Sequence, residues 1–578
     1  MRVNRETIGL GVVCLLALAL RLFALGYGLP AVFNPDETPI LNRALAFAKG
    51  DPNPHNFLYP SLYFYALFLW ESAFFLVGRV LGLFDSLGAF QREFFTNPSR
   101  LFLAGRAMSV VCGTATVVAL YYVGRRLYGA ATGLAAAAFL AVAPIAVRDA
   151  HYVKLDVPVA LMVVLAHVAL ARIVVDPAAA ARTRTWLLAG FLAGLAVSTH
   201  YYVAFIALSL VAVGVADLTR SGRWQESARL LSAAAAAAVA GFFVGTPFLL
   251  FEPQIAARDI TAVREIDVDR ALVGGTFSAL VPYARILFTD AVGWPVCLAA
   301  AVGGVWAIVT DWRRGVVLVS FTLAFLAFVA NTVPQSRYLN VVLPFMALAA
   351  AFTVIRGAAR LGRAGPIGAT ALVALAATPG FLGSLRTDLL FNQADTRALA
   401  RDYIEAHVPA GASFLVQPYS APLRPSREGL IEALRANLGS ESNASIKYQL
   451  MLGLDPYPSP AYRLIYLGDG GEDAEKIYIS PRELSGNVGL KPLRDLKIDY
   501  VVLKRENVEN PGLRPLVSAL DREGRRIAEF TPYRSDVGPA DRLLVAPFHH
   551  NTAARIDPAL ERPGPGIVIW DISQPGDR

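Results

Sequence analysis

Asp36 and Glu37 stand side by side in Val32-Phe33-Asn34-Pro35-Asp36-Glu37-Thr38, directly after the first long apolar run of the chain. Ionisable groups at a membrane are costly to bury, and where they persist they mark ion paths or chemistry. Held in place, such a carboxylate can take a proton from an attacking hydroxyl. A plainer reading also fits. Pro39 and residues 40–47 look helical, so Asp36 caps a helix and Glu37 is an acid in its first turn. The two readings are compatible, because a cap fixes the carboxylate.

Three further stretches carry chemistry-bearing residues. Asp149-Ala150-His151-Tyr152-Val153-Lys154-Leu155-Asp156 combines acids with two cationic groups, the kind of partners a phosphate needs. Asp156 also reads as a cap, with Pro158 near the first helical turn. Gln335-Ser336-Arg337-Tyr338 is either an interfacial Arg-Tyr anchor or a phosphate ligand. His200-Tyr201-Tyr202 lies at another turn between apolar runs, where a lone His is more often structural. Arg106 sits one turn inside its apolar run. A charge there can snorkel to the interface, but one facing inward is a functional candidate. Asp267-Val268-Asp269 reads as a solvated acidic turn. No P-loop, GxGxxG, HExxH or GxSxG stands in a supporting context.

These residues need a scaffold, and composition says which kind. Of 578 residues, 55% are hydrophobic and only 17% charged, against about 25% charged in a soluble domain. The mean hydropathy is +0.47, and the apolar runs are long enough to cross a bilayer. The net charge of +8 lies in short connections between those runs, a pattern that orients a membrane protein rather than recruiting nucleic acid. Cys14, Cys112 and Cys297 all fall in apolar runs and read as small hydrophobes. Arg2 and Arg5 precede the apolar stretch 8–25. No small-x-small cleavage site follows, so an uncleaved helix is expected over a signal peptide.

Threading the chain fixes the sides. The first span covers residues 7–27, with Arg2 and Arg5 inside, and the Asp36 loop faces outward. Residues 55–83 are apolar enough to cross, yet they open His55-Asn56-Phe57-Leu58-Tyr59-Pro60, are rich in aromatics and contain Glu71. Laid along the outer surface, this segment lets later spans place Arg125-Arg126, Arg182 and Arg184, Arg220, Arg223 and Arg229, Arg313-Arg314, and Arg356, Arg360 and Arg363 inside. Letting it cross inverts that pattern. About eleven spans result, including one over 131–147, and residues 1–384 form the membrane domain. Residues 385–578 read as an extracytoplasmic α/β domain, with helices over 396–407 and 427–438 and strands over 413–416, 499–503 and 566–571.

A polytopic α-helical chain with Asp36-Glu37 after the first span and Leu155-Asp156 before the fourth resembles the C-type membrane glycosyltransferases. More narrowly it resembles glycosyltransferase family 39, the protein O-mannosyltransferase and aminoarabinose-transferase group. The resemblance is clearest over residues 1–175, with Thr246-Pro247-Phe248 and Arg337-Tyr338 also similar. It implies catalytic roles for Asp36, with Glu37 beside it, and Asp156, and a matching arginine at Arg106. Aminoarabinose transferases carry Lys-Pro where this chain has Tyr59-Pro60, which weighs against that donor. Lys154, Arg337, Arg106, His55 and Tyr59 are then the candidates for the donor phosphate. His151, His200 and Tyr338 are candidate acceptor or donor contacts.

The expected activity is transfer of a sugar from a polyprenyl-phosphate donor to a hydroxyl on a protein or envelope glycan or lipid. It proceeds by inverting single displacement on the outer face of the plasma (inner) membrane. No metal ligand set and no required cofactor are expected, with a divalent cation left open. Two rivals are a lipid-linked sugar flippase, since intramembrane charges also mark transport paths, and a non-catalytic envelope assembly factor.

Overall fold

The computed structural model describes residues 5–471, 473–484, 489–505, 511–550 and 556–573; Arg2 lies outside them. The first helix, α1 (Arg5–Leu22), is followed by α2 (Glu37–Ala46), α3 (Leu62–Val80), α4 (Leu87–Thr96) and the thirty-residue α5 (Ser99–Tyr128). Then come α6 (Ala130–Ala141), α7 (Pro144–Asp149) and α8 (Asp156–Val175). Against α5 pack α1, α6 and α8, so this helix is the post of the N-terminal half.

The single span expected over 131–147 is in fact two helices. Pro144 opens α7, and Ala143 before it is extended (φ −71°, ψ 117°), as the residue before a proline prefers. The break frees carbonyls inside an apolar environment, where each needs a partner. Arg21, buried at the end of α1, donates from Nη1 to Ala141 O at 3.0 Å and from Nη2 to Leu140 O at 3.4 Å. Ser384 Oγ donates to Val142 O at 2.9 Å.

Among the described residues, seven helical stretches are long and apolar enough to cross a membrane, or eight if Leu280–Ala291 and Trp294–Thr310, bent by 118°, count as one. The eleven expected spans include elements that length alone does not admit. Ala130–Ala141 and Thr183–Val197 are short, and α1 holds Arg5, Glu6 and Arg21. Conversely α3 passes on length, although its neighbours constrain it at both ends. Leu62 N donates to Ser198 O at 3.2 Å and Ser61 N to Thr246 Oγ1 at 3.2 Å. Midway, Trp70 Nε1 donates to Ala104 O at 2.7 Å, and just past its end Leu83 O accepts from Arg100 at 3.5 Å.

Ser198 and Thr246, which share a 2.6 Å hydroxyl contact, follow helices Thr183–Val197 and Trp224–Gly245. Those helices touch backbone to backbone. A Cβ on Gly190 would lie 1.9 Å from Ala234 O, and one on Gly194 2.0 Å from Ala238 O. Small residues permit this approach, the usual device for packing helices in lipid.

From residue 396 the chain forms a six-stranded sheet of order β3-β2-β1-β4-β6-β5. The strands are β1 (Ser413–Val416), β2 (Arg463–Leu467), β3 (Ile477–Ile479), β4 (Tyr500–Arg505), β5 (Arg525–Phe530) and β6 (Gly566–Asp571). Pairs β1/β2, β1/β4 and β2/β3 are parallel, and β6 runs antiparallel to both β4 and β5. Alternate residues feed two cores, with Leu415, Val501 and Trp570 on one face and Phe414, Val502 and Ile569 on the other. The expected helices recur as Thr396–His407 and Arg427–Leu438. The last long membrane helix, Gly365–Phe391, continues past residue 384.

Replacing Gly194 by Val should force the Thr183–Val197 and Trp224–Gly245 helices apart. Overpacking of this kind costs about 1–3 kcal/mol, read as a lowered melting temperature of the purified protein; an unchanged melting temperature would contradict the close backbone contact.

Candidate active site

Asp36 is the residue before α2, but its side chain makes no cap hydrogen bond. Asn34 holds the turn instead, its Oδ1 accepting from Asp36 N at 3.1 Å. The carboxylate is therefore available to other loops. Oδ2 accepts from Lys154 Nζ at 2.5 Å and from Arg337 Nη1. Lys154 is buried, Arg337 largely so, and Asp36 about one-third exposed. Burial pushes the Asp36 carboxyl up, but Lys154 and Arg337 outweigh it and hold it down to about 2. Burial and Arg337 lower the Lys154 ammonium, against the pull of Asp156 and Asp36. Burial would lower Arg337 too, yet Asp156 and Asp36 raise it well above its usual value. Asp36 and Asp156, 120 positions apart, thus act on the same two cations. Asp156 is buried as the first residue of α8, whose N-cap is Leu155.

Glu37 has a different job from its neighbour. Fully buried, it receives Arg106 Nε and Nη2 on its two oxygens, each at 2.9 Å. Val153 N adds a 3.0 Å bond to Oε1. Arg106 Nη1 also donates to Leu25 O and Tyr27 O, both at 2.8 Å. One bidentate pair therefore joins α5, the loop after α1 and the loop carrying Lys154. Glu37, expected as a catalytic acid, and Arg106, expected as a phosphate ligand, are thus bonded to each other in this arrangement.

Two further candidates, His55 and His151, have their ring nitrogens engaged away from Asp36. His55 is half-exposed, its ring nitrogens 3.0 Å from Asp51 and 2.6 Å from Glu252; these contacts, not the Asp36 cluster, raise its pKa. His151 is buried between Val147 O at 3.0 Å and Phe23 O at 2.7 Å, with Asp388 3.6 Å away. Both ring nitrogens therefore face backbone carbonyls within the protein.

Tyr59, His200 and Tyr338 do gather beside the cations. Burial pushes the Tyr59 phenol up to about 12, with Arg337, Asp36 and Asp156 all near enough to act on it. Its ring meets His200 edge-on at 5.2 Å, His200 lies 3.6 Å from the Tyr202 ring, and Tyr202 lies 5.4 Å from Tyr338. Burial, then Arg337 and Lys154, push the His200 imidazole well below its usual value. Tyr338 donates to Asp267 Oδ2 at 2.9 Å, so Asp267 is no solvated turn but part of this wall. His200 Nδ1, Tyr202 OH and Gln335 Oε1 are buried atoms without a hydrogen-bond partner among the described residues.

A network that the sequence did not disclose fixes Arg337 from behind. Asn340 Nδ2 donates to Arg337 O at 2.9 Å and to Asp149 Oδ2 at 2.6 Å. Arg148 bridges Asp149 Oδ1 and Ser336 Oγ, each at 2.9 Å. Among the described residues no three His, Cys, Asp or Glu side chains form a group that could hold a metal ion.

The family model for dolichyl-phosphate-mannose-protein mannosyltransferases matches residues 96–245, from α5 to the end of the helix before Thr246. ArnT from Cupriavidus metallidurans in the apo state is similar in structure at a TM-score of 0.52 and 13% identity, over 90% of this chain and 95% of ArnT. ArnT bound to undecaprenyl phosphate gives 0.51 and 13%, over 97% of each chain. The apo oligosaccharyltransferase of Archaeoglobus fulgidus gives 0.45 and 11%, over 92% of this chain and 74% of that one. No curated protein matches by sequence.

Removing one partner of a buried ion pair costs about 3–5 kcal/mol, because the other charge is stranded. Arg106→Met should therefore lower the melting temperature sharply; a melt like that of the unmodified protein would show that the Glu37–Arg106 pair is not what joins the loops.

Proposed function

We propose that this chain, which has the C-type membrane glycosyltransferase fold and resembles family 39, moves a sugar from a polyprenyl-phosphate donor to a hydroxyl acceptor. The observation that carries the proposal is the convergence of Lys154 and Arg337 on one oxygen of Asp36. Two buried cations fixed side by side form a seat for a phosphate. A phosphodiester arriving there competes with Asp36 for both cations. Asp36, released from them, becomes a stronger base at the moment when one is needed.

The acceptor oxygen then attacks the anomeric carbon while its proton passes to Asp36. The bond from that carbon to the phosphate oxygen breaks with inversion, and the lipid phosphate leaves with its electron pair onto Lys154 and Arg337. Such preorganised charge is usually the largest single contribution to catalysis. Asp156 keeps the cations in place. The sugar lies against Tyr59, His200, Tyr202 and Tyr338, where His200 Nδ1, Tyr202 OH and Gln335 Oε1 hydrogen-bond its hydroxyls. Undecaprenyl phosphate bound to the ArnT relative supports a polyprenyl donor. The acceptor is a protein or an envelope glycan or lipid, and no cofactor is needed for these steps, a divalent cation being left open.

The site opens to the outer face of the plasma membrane, the transferase domain has about eleven spans and runs to the end of helix Gly365–Phe391, and the chain from Thr396 on forms an outer domain. The contacts of α3 support this threading. Ser198 and Thr246 at its start, and Arg100 beyond its end, all lie at the outer ends of their helices, as expected for a segment lying along the surface.

The reading is tested by incubating the reconstituted protein with a panel of polyprenyl-phosphate sugars and measuring released lipid phosphate. Asp36→Asn should lower turnover by about 10²–10⁴, the usual worth of a general base, and should also lower the melting temperature, since Lys154 and Arg337 lose their shared carboxylate; near-normal turnover in the folded variant would refute the role. The pH profile gives a second check. A carboxyl held near 2 stays ionised in the folded protein until pH falls toward that value, and the stability its ion pairs supply is full above the unfolded value of about 3.9 and lost as pH falls through the folded one. The acid limb of kcat/KM, which reports the free enzyme, should thus lie below about pH 4, and a limb near pH 6 would mean another group is the base.

A further inference from the structure

The outer domain is wedged against the loop that carries Asp36. Arg397, at the start of helix Thr396–His407, is 2% exposed. Its guanidinium holds Asp395 through Nε at 2.8 Å and Nη2 at 2.7 Å, and lies 4.0 Å from the centroid of the Phe33 ring. Phe33 is three residues before Asp36. The same guanidinium reaches Tyr27 OH at 3.4 Å, and that hydroxyl donates to Asp395 at 3.0 Å. Tyr27 in turn stacks on Phe391 at 4.3 Å and 9°.

A second segment of the outer domain locks onto this point. Arg397 Nη2 donates to His549 O at 2.9 Å, and Gly564 N donates to Phe548 O at 2.8 Å. Phe548 belongs to one apolar cluster with Tyr27, Phe33 and Tyr152. At Gly564, whose φ is +99°, a Cβ would lie 2.1 Å from Thr396 Oγ1 and 2.4 Å from Asp395 Oδ1, so the crossing is as tight as backbone allows. His550 follows His549 close enough to Lys154, Asp36 and Arg337 to feel all three charges.

We propose that Arg397 is a positioning residue for Asp36, through which the outer domain clamps residues 27–36 from outside while Arg106 clamps them from within the membrane domain. The proposal rests on the transferase reading for its kinetic consequence but not for its mechanical one. A planar guanidinium over a buried aromatic face is a strong, orientation-dependent contact, and the two arginines grip opposite faces of Tyr27, its carbonyl and its hydroxyl. Freed on one side, the loop would let Asp36 drift from its line with Lys154 and Arg337. A shift of about 1 Å at such a distance from the chemistry costs about 10²-fold in rate.

Phe33→Leu removes the aromatic face and keeps an apolar side chain, leaving the Arg397–Asp395 pair intact, whereas Phe33→Tyr keeps the face. In the full-length protein in nanodiscs, amide hydrogen exchange over residues 28–38 should rise at least tenfold in Phe33→Leu and stay near the unmodified rate in Phe33→Tyr, with the remote helix Thr183–Val197 unaffected in both. With a donor that the unmodified protein turns over, kcat should fall about 10–100-fold in Phe33→Leu, with KM for that donor within twofold, and recover in Phe33→Tyr. Unchanged exchange in Phe33→Leu, an equal loss in Phe33→Tyr, or a loosened loop with unchanged kcat would each overturn the proposal. Failure of the unmodified protein to turn over any donor would sink the transferase reading alone, since the exchange measurement needs no substrate.

Discussion

The joint on which the rest depends is the bidentate pair between Glu37 and Arg106. Each charge alone would be prohibitively costly where it sits, and together, with Val153 N and two backbone carbonyls completing the shell, they satisfy one another. The pair does what a buried ion pair does best, which is to specify one arrangement. It sets the register between α5, the chain leaving α1 and the loop before α8. Asp36 and Lys154 are the next residues along on two of those three segments. Their meeting is a consequence of the Glu37–Arg106 contact, one residue removed.

This division of labour explains why two adjacent acids behave so differently. Glu37 is buried with its oxygens taken by Arg106 and Val153; Asp36 is about one-third exposed and shares one oxygen between Lys154 and Arg337. The cations are themselves constrained. Arg337 hangs from Asn340 and, through Asp149 and Arg148, from Ser336, while the Lys154 loop hangs from Glu37 and from Ser109, whose hydroxyl donates to Tyr152 O at 2.7 Å. A site built this way holds its charges in place before any substrate arrives, which is the condition for electrostatic catalysis.

Much of this was legible in the sequence because lipid is so intolerant of charge. Asp36, Asp156, Lys154 and Arg337 stand out at the ends of apolar runs, and Tyr59, His200 and Tyr338 at turns between them. What could not be read was pairing. Arg106 and Glu37 are 69 positions apart, His55 and Glu252 are 197 apart, and Tyr338 finds Asp267 across 71. No local pattern distinguishes a carboxylate that is spent on a partner from one that is free. In the fold, hydropathy runs straight through Pro144, so α6 and α7 look like one span. Strand β3 is three residues long and β5 is Arg-Arg-Ile-Ala-Glu-Phe, which carry too little alternation to betray a sheet that tertiary packing nonetheless selects.

The broken α6–α7 helix has a consequence for how the chain is made. Arg21 closes that break, but its acceptor on Ala141 comes 120 residues later in the chain. Only when the Ala-rich α6 arrives can the guanidinium turn inward. The link between the end of α1 and the break before α7 therefore closes only once the chain has passed residue 141, and it adds to a contact that α5 already makes with α1.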